Sequence, residues 1–222
     1  MSVAPIEAIV FDFDGLILDT EGPVFRAWQE AFVDHGAELT LDEWVIQIGA
    51  VDVVDPEALL RARAQRPLDP DAMHARRRAR RDELLAHEAV LPGVEDWLDE
   101  ATALGLELAI ASSSPFDWVH EHLDRLQLRD RFSVIACYDG RGRAKPAPDL
   151  YLAACAALNV APAHAVAVED SPNGVTAANA AGLHSVAVPH ALTAQLDLSH
   201  ADLIVESLAH VSLRDVISNL RP

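Results

Sequence analysis

Cysteine, aromatic residues and long apolar runs are scarce in this 222-residue chain. Its two cysteines, Cys137 and Cys155, each lie in an apolar stretch, so we expect buried free thiols in a reducing compartment rather than a disulfide. No apolar run approaches the roughly 20 residues that a membrane helix needs. The N-terminus lacks a charged leader followed by an apolar segment. We therefore expect a cytoplasmic protein with no membrane partner.

Positive charge is also scarce, because 17 Lys and Arg stand against 35 Asp and Glu, for a net charge of −18. Such a chain would be repelled by a polyanion, which argues against a nucleic-acid partner. The Gly-rich signatures of P-loops and of dinucleotide-binding sites are absent, so we expect no dinucleotide cofactor. Half of the residues are hydrophobic, which suffices for a packed core.

Two aspartates mark the end of the first predicted strand. Residues 6–10 form an apolar, β-branched run, and Asp12 and Asp14 follow it two residues apart, before Gly15 permits a turn. Both side chains point the same way while the chain stays extended. Two such charges repel each other unless a cation lies between them or one takes a proton. A pair of acids capping a surface loop is the alternative interpretation.

The order of predicted elements indicates an α/β fold. Helical patterns occupy residues 20–91, and strands alternate with helices from residue 92 onward. We predict a doubly wound, Rossmann-like parallel sheet formed by residues 1–19 and 92–222, with an all-helical insert at residues 20–91. The strands after the first are predicted at residues 106–111, 132–137, 165–168, 185–188 and, as a possible sixth, 203–205.

Chemically useful side chains follow most of these strands, and parallel strands bring their carboxyl ends to one edge of the sheet. We therefore predict one crevice that gathers acids, hydroxyls and a lysine. The residues concerned are Asp12, Asp14, Ser112, Ser113, Lys145, Glu169 and Asp170.

This combination suits phosphoryl transfer. A carboxylate such as Asp12 can attack phosphorus and split one difficult step into two, but it then approaches an anion, which calls for a bridging Mg²⁺. Asp12 and Asp170 are hard-oxygen ligands for that ion, and Glu169 helps directly or through water. Asp14 is placed to protonate the leaving oxygen and later to deprotonate water.

The remaining members of the set would bind the substrate. Lys145 can neutralise phosphate charge, and Ser112 with its neighbour Ser113 can donate hydrogen bonds to phosphoryl oxygens.

The chain resembles the haloacid dehalogenase superfamily of phosphohydrolases, in the branch of β-phosphoglucomutase and small sugar-phosphate phosphatases. Four motifs carry the resemblance in order: Asp-x-Asp-Gly at residues 12–15, Ser112, Lys145 and the acidic pair 169–170. It implies that Asp12 is the nucleophile, that the Asp14 backbone carbonyl is a further metal ligand, and that the helical insert is a mobile cap. An acid at position 14 favours phosphate chemistry over dehalogenation.

We thus expect a Mg²⁺-dependent phosphatase that hydrolyses a small phosphorylated metabolite, a sugar phosphate by preference, through an aspartyl-phosphate. We expect it to be a monomer or a weak homodimer. A phosphosugar mutase is the alternative function. Mutase-like proteins have a His where this chain has Val24, an Arg near its Val51 and Asp52, and Lys-Asn where it has Pro115 and Phe116. A receiver-type signalling module is a more distant alternative, because such modules gather similar residues.

Two groups of arginines fall outside these motifs. The run at residues 76–81 has the pattern of a solvated helix face, with an arginine that reaches an anionic substrate as the alternative. Arg141 and Arg143 lie close to Lys145 in sequence, but loop arginines usually face solvent. Trp28, Trp44 and Trp97 are expected to pack between helices.

Overall fold

The structure, a computed structural model, describes residues 5–49 and 55–220. The chain divides into two compact units. The first is formed by Met1–Leu18 and Val90–Pro222, and the second by Asp19–Ala89. The first contains the sheet, and the described part of the second is helical.

Six parallel strands form a single sheet in the order β3-β2-β1-β4-β5-β6. The first strand is therefore central, with a crossover on each side of it. The predicted α/β, Rossmann-like fold class is confirmed. The strands are β1 Ala8–Phe11, β2 Glu107–Ser112, β3 Val134–Cys137, β4 Ala165–Glu169, β5 His184–Ala187 and β6 Leu203–Ile204.

Nine α-helices accompany the sheet in the described ranges. They are α1 Glu21–Asp34, α2 Leu41–Gly49, α3 Pro56–Arg63, α4 Pro70–Leu85, α5 Val94–Leu104, α6 Phe116–Arg125, α7 Asp149–Leu158, α8 Pro172–Ala181 and α9 Leu213–Asn219. Short 3-10 turns lie at Arg129–Arg131, Pro162–His164 and Leu208–His210.

The central strands are buried because their residues, apart from Glu169 at the end of β4, are apolar on both faces. Every residue of β1 and of β4 is buried, as expected for parallel strands covered by helices on both sides. Small residues of β1, β2 and β4 let helices α7 and α8 approach closely, and Tyr151 is fully buried among them. The central strands thus end at fixed points on a rigid core.

Local capping explains where several helices begin. Ser171 accepts a hydrogen bond from the backbone N–H of Gly174 at 3.1 Å, and Pro172 occupies the first position of α8, where its missing N–H is harmless. In the helical unit, Thr40 and Glu43 form a capping box before α2. The Glu43 N–H donates to the Thr40 hydroxyl at 3.3 Å, and the Thr40 N–H donates to the Glu43 carboxylate at 3.0 Å.

The three tryptophans expected to pack helices are buried. In the helical unit, Trp28 lies under the guanidinium of Arg77, 4.4 Å from its ring centre, and Trp44 stacks on Phe25. In the sheet unit, Trp97 donates its indole N–H to the Val211 carbonyl at 2.9 Å. These contacts agree with the packing role.

Ion pairs hold several members of the arginine run. Arg80 donates to the carboxylate of Glu30 at 2.9 Å and to that of Glu83 at 2.9 Å, while Arg76 lies 3.6 Å from that of Asp34. Arg76 and Arg80 thus lie on a charged face of α4, as the pattern predicts, whereas Arg77 packs against the Trp28 ring and is partly buried. Each helix in the described ranges is too short or too polar to span a lipid bilayer.

Candidate active site

The carboxyl ends of the central strands bring the predicted residues together. Asp12 follows β1 directly, and its backbone N–H donates to the Val168 carbonyl of β4 at 2.9 Å. Ser112 is the last residue of β2, and Glu169 is the last residue of β4. Because these strands are adjacent, their terminal side chains share one edge of the sheet.

Lys145 lies between two of the acids. Its Nζ atom donates to Oδ1 of Asp12 in a very short contact and to Oε1 of Glu169 at 2.6 Å. All three side chains are buried, with exposed fractions of 6%, 10% and 0% for Lys145, Asp12 and Glu169. Burial opposes the charged amine, but the two carboxylates outweigh it and raise the pKa of Lys145, which therefore stays a cation.

Three carboxylates could share one cation here. Oxygen atoms of Asp12, Glu169 and Asp170 lie within 4.8 Å of one another, and all three residues are buried. Burial is the main cause that raises the pKa of Asp12 and of Asp170, and the other carboxylates add to it. One ammonium group cannot balance three buried carboxylates. A divalent cation bound by these hard oxygens would supply the missing charge, so the donor set fits Mg²⁺.

The side chain of Asp14 lies outside this acidic group. Its Oδ1 accepts from the indole N–H of Trp118 at 3.0 Å. Its Oδ2 accepts from the hydroxyls of Ser114 at 2.7 Å and of Ser112 at 3.3 Å. The two neighbouring aspartates of the first motif thus have different surroundings: one contacts the lysine and the other contacts the segment after β2.

The two predicted serines differ in their contacts. The Ser112 hydroxyl donates to Asp14 and accepts from the Ser114 N–H at 3.0 Å. The Ser113 hydroxyl accepts from the backbone N–H of Lys145 at 3.2 Å, so it connects the segment after β2 to the loop that contains Lys145. Ser112 therefore contacts the side chain of Asp14, and Ser113 contacts the backbone of Lys145.

The family model described as haloacid dehalogenase-like hydrolase matches residues 6–182. The chain belongs to the haloacid dehalogenase-like hydrolase family. The predicted family is thereby confirmed, and so is the prediction that the chain is a phosphoric monoester hydrolase.

This hydrolase has relatives that match over nearly all of its length. It is 40% identical over 215 residues to YhcW of Bacillus subtilis, provisionally named a phosphatase, covering 97% of this chain and 98% of the relative. It is 33% identical over 221 residues to hexitol phosphatase B of Escherichia coli K12, covering 96% and 97%. The crystal structure of CbbY from Rhodobacter sphaeroides with phosphate superposes with a TM-score of 0.75 at 31% identity, covering 94% and 98%.

Sequence reasoning missed three side chains that support the predicted residues of this hydrolase. Trp118 contacts Asp14, as described. The Tyr151 hydroxyl donates to Oε1 of Glu169 at 2.7 Å, and Nε2 of His190 lies 3.0 Å from Oδ2 of Asp170. The only sequence signal for Tyr151 was its position shortly after Lys145, in the first turn of α7. Nothing in the local sequence marked His190.

The ring nitrogens of His190 have distinct roles. Nδ1 accepts from the Leu192 N–H at 3.3 Å, so Nε2 carries the proton of the neutral ring and donates it to Asp170. The pair also explains Gly15, whose φ is +80°. A Cβ atom there would lie 2.4 Å from Oδ2 of Asp170 and 3.0 Å from Nε2 of His190. The turn after the first motif therefore requires glycine both for its backbone and for space.

Other residues singled out from the sequence lie outside the group of acids, serines and lysine at the sheet edge. Arg141 and Arg143 are exposed, and Arg143 pairs with Asp149 at 3.2 Å. Cys137 and Cys155 are both free thiols, as expected, but only Cys155 is buried, and Cys137 is partly exposed. Burial, together with the nearby aspartates, raises the pKa of Cys137 to about 12, so this thiol stays protonated.

Proposed function

We propose that this hydrolase is a Mg²⁺-dependent phosphatase that acts on a small phosphorylated metabolite through an aspartyl-phosphate at Asp12. The observation that supports it most is the buried arrangement of Lys145 against Asp12 and Glu169, with Asp170 in the same acidic group. Asp12 and Asp170 would hold the ion, with Glu169 in direct contact or through water. When bound, Mg²⁺ supplies the positive charge that lets an anionic nucleophile approach a phosphate.

The protein side chains would divide the chemistry between them. A carboxylate oxygen of Asp12 attacks phosphorus as the ester P–O bond breaks, and the leaving oxygen takes a proton from Asp14. Asp14 then removes a proton from water, which attacks the phosphorus of the acyl-phosphate. The P–O bond to Asp12 breaks, which releases inorganic phosphate and restores the free carboxylate.

Substrate binding would use the cation and the hydroxyls nearby. Lys145 neutralises charge on the transferred phosphoryl group, and Ser112 donates to one of its oxygens, with Ser113 adjacent. Ser112 can do so because hydroxyl rotation lets it exchange its bond to Asp14 for one to the phosphate. We also propose that residues 20–91 act as the cap that selects the substrate.

Sugar and polyol phosphates are the substrate class that we favour. The relatives include hexitol phosphatase B and a phosphorylated carbohydrates phosphatase of Thermotoga maritima, to which the chain is 30% identical over 191 residues. A CbbY structure with 29% identity and a TM-score of 0.74 contains xylulose-1,5-bisphosphate. Monophosphates and bisphosphates of pentoses, hexoses and hexitols therefore head the assay panel.

Hydrolysis is preferred to a mutase reaction because the expected holders of a second phosphate are replaced. Where mutase-like proteins have Lys-Asn, this chain has Pro115 and Phe116, and the Phe116 ring is exposed. Val24 occupies the position of their cap histidine, while Val51 and Asp52 lie outside the described residues. A mutase would convert a sugar 1-phosphate into its 6-phosphate with little free phosphate.

The decisive experiment measures phosphate release across this panel, with Mg²⁺ and with EDTA, for the wild type and two variants. We expect Mg²⁺-dependent release by the wild type and by Asp130→Asn, which changes an exposed aspartate. We expect Asp12→Asn to lose activity by more than about 10³-fold with an unchanged circular dichroism spectrum. A wild-type rate in Asp12→Asn, or equal release in EDTA, would contradict the proposal.

Cellular location, oligomeric state and lack of a nucleic-acid partner stay predictions. Fractionation of the producing cells tests the cytoplasmic location, and sedimentation of the purified chain tests the monomer or weak dimer.

A further inference from the structure

The acid/base candidate has an aromatic partner. Trp118 lies in the first turn of α6, and its indole N–H points at Oδ1 of Asp14, with 3.0 Å between the nitrogen and the oxygen. The other oxygen, Oδ2, faces the hydroxyls of Ser112 and Ser114. Each carboxylate oxygen of Asp14 thus has its own kind of donor.

Packed rings hold the indole in this orientation. Trp118 meets the ring of His122 edge-on, with 4.4 Å between centroids and 80° between planes. His122 is itself buried and stacks against Phe13 at 6.3 Å. Phe13 is fully buried and lies between the two aspartates of the first motif. The indole therefore cannot turn away from Asp14 without disturbing this stack.

The chemistry of the donors makes the two oxygens unequal. An indole N–H donates and cannot accept, so its bond to Oδ1 persists only while that oxygen has no proton directed at it. Serine hydroxyls both donate and accept, so Oδ2 can exchange a proton without losing its partners. Proton exchange with a leaving oxygen is thus compatible with Oδ2 and disfavoured at Oδ1.

We propose that Trp118 is a positioning residue that holds Asp14 through Oδ1 and so directs proton transfer to Oδ2. This inference rests on the proposed phosphatase function of the same site. In the first step, the proton on Oδ2 moves to the leaving oxygen as the P–O bond breaks. In the second, Oδ2 takes a proton from the attacking water. The indole N–H bond to Oδ1 is kept throughout.

Trp118→Phe removes the N–H and keeps a ring against His122. For substrates with alkyl leaving groups, we expect kcat/KM, which reports transfer to Asp12 and not the later attack of water, to fall by about 10- to 100-fold, because a misplaced acid impairs protonation of the leaving oxygen. For 2,4-dinitrophenyl phosphate, whose leaving group needs no proton, we expect kcat/KM to change by less than about 3-fold, while kcat falls for both substrate classes because they share the attack of water. An equal loss of kcat/KM for both substrate classes would overturn the proposal.

Trp97→Phe is the matched control, since it removes another hydrogen-bonded indole N–H in the same unit, the one bonded to the Val211 carbonyl. We expect it to leave the leaving-group dependence unchanged. If Trp97→Phe reproduces the Trp118→Phe profile, the effect is general destabilisation and the proposal fails. In an Asp14→Asn background, Trp118→Phe should cause no further loss, since residues that act as a unit are not additive.

Tryptophan fluorescence separates this inference from the function on which it rests. We expect Asp14→Asn to shift the emission of the wild type and not that of Trp118→Phe, in protein without substrate. An identical shift in both would overturn the contact. If instead the emission result holds but Asp12→Asn retains its rate, the phosphatase mechanism fails while the contact between Trp118 and Asp14 stands.

Discussion

The Nζ atom of Lys145 lies 2.6 Å from Oε1 of Glu169, and the same nitrogen contacts Oδ1 of Asp12. Lys145 is the only lysine in the chain, although arginines are plentiful. A compact ammonium fits between two buried carboxylates in a way that a planar guanidinium does not. The fully buried Glu169 also accepts from Tyr151, so its carboxylate is held on more than one side.

Replacement of this cation leaves buried carboxylates without their counter-charge. We expect Lys145→Met to lower the free energy of unfolding by about 3 kcal/mol in EDTA, as measured by urea denaturation. It should also abolish phosphate release. The matched control is Arg143→Met, which removes an exposed cation from the same loop and should change stability by less than about 0.5 kcal/mol. Equal stability of the two variants would show that the lysine is not needed for charge balance.

His190 should influence Mg²⁺ binding at the proposed site through its contact with Asp170. Because it donates to Asp170, we expect His190→Ala to weaken Mg²⁺ binding by about 10-fold, as measured by calorimetry on the protein without substrate. His190→Gln keeps an N–H at a similar reach and should retain most of the affinity. His210→Ala, at an exposed histidine, is the control. Unchanged affinity in His190→Ala would remove this residue from the metal site.

Gly174 should not tolerate a methyl group, although it lies in a helix. A Cβ atom there would lie 1.9 Å from the carboxylate of Glu169. Alanine favours helices over glycine by about 1 kcal/mol, yet we expect Gly174→Ala to destabilise the fold by about 2 kcal/mol through the clash.

Ala180→Gly calibrates helix propensity at an exposed position of the same helix and should lower stability by about 1 kcal/mol. Chemical denaturation of both variants supplies the measurement. If Gly174→Ala raises stability, Glu169 does not pack against α8 as described.

The raised pKa of Asp12 predicts how stability depends on pH. Burial, reinforced by nearby carboxylates, outweighs Lys145 and raises this pKa well above its usual range. The folded protein then binds this proton more tightly than the unfolded chain. Stability should therefore fall as pH rises from about 4 toward the folded pKa.

The Asp12→Asn variant has no carboxyl group at this position, so it lacks the proton that the folded wild type binds more tightly than the unfolded chain. In EDTA, its melting temperature at pH 7 should equal or exceed that of the wild type, and it should fall less steeply with pH. Mg²⁺ should raise the melting temperature of the wild type more than that of the variant. A steeper pH dependence in Asp12→Asn than in the wild type would reverse the assigned sign.

Much of the fold was predictable because its signals are local. The apolar run before Asp12 and the strand-helix alternation after residue 92 determine a parallel sheet, and the observed strand order places that run at the centre. Helix capping is also a local signal, since Thr40 and Glu43 are three residues apart and need no distant partner. Strand ends shifted by a residue: the second was predicted to end at position 111 and ends at Ser112.

The candidate site was predictable in part for the same reason. Each of its motifs directly follows a strand, and parallel strands place such residues on one edge. The order of residues along the chain does not determine which side chains contact each other across that edge. Tyr151, Trp118 and His190 lie on three different segments, and only folding brings each of them to one predicted acid.

The linear order of residues was enough to establish the family, the sheet and the set of acids, hydroxyls and lysine at its edge, because periodicity and strand-end position are properties of short stretches. Tertiary structure alone decided that Lys145 sits between Asp12 and Glu169, and that Asp14 turns instead to Trp118. The reason is physical: the partner of a buried charge is set by distance across the packed core, and residues more than 100 positions apart in the chain meet there only after it folds.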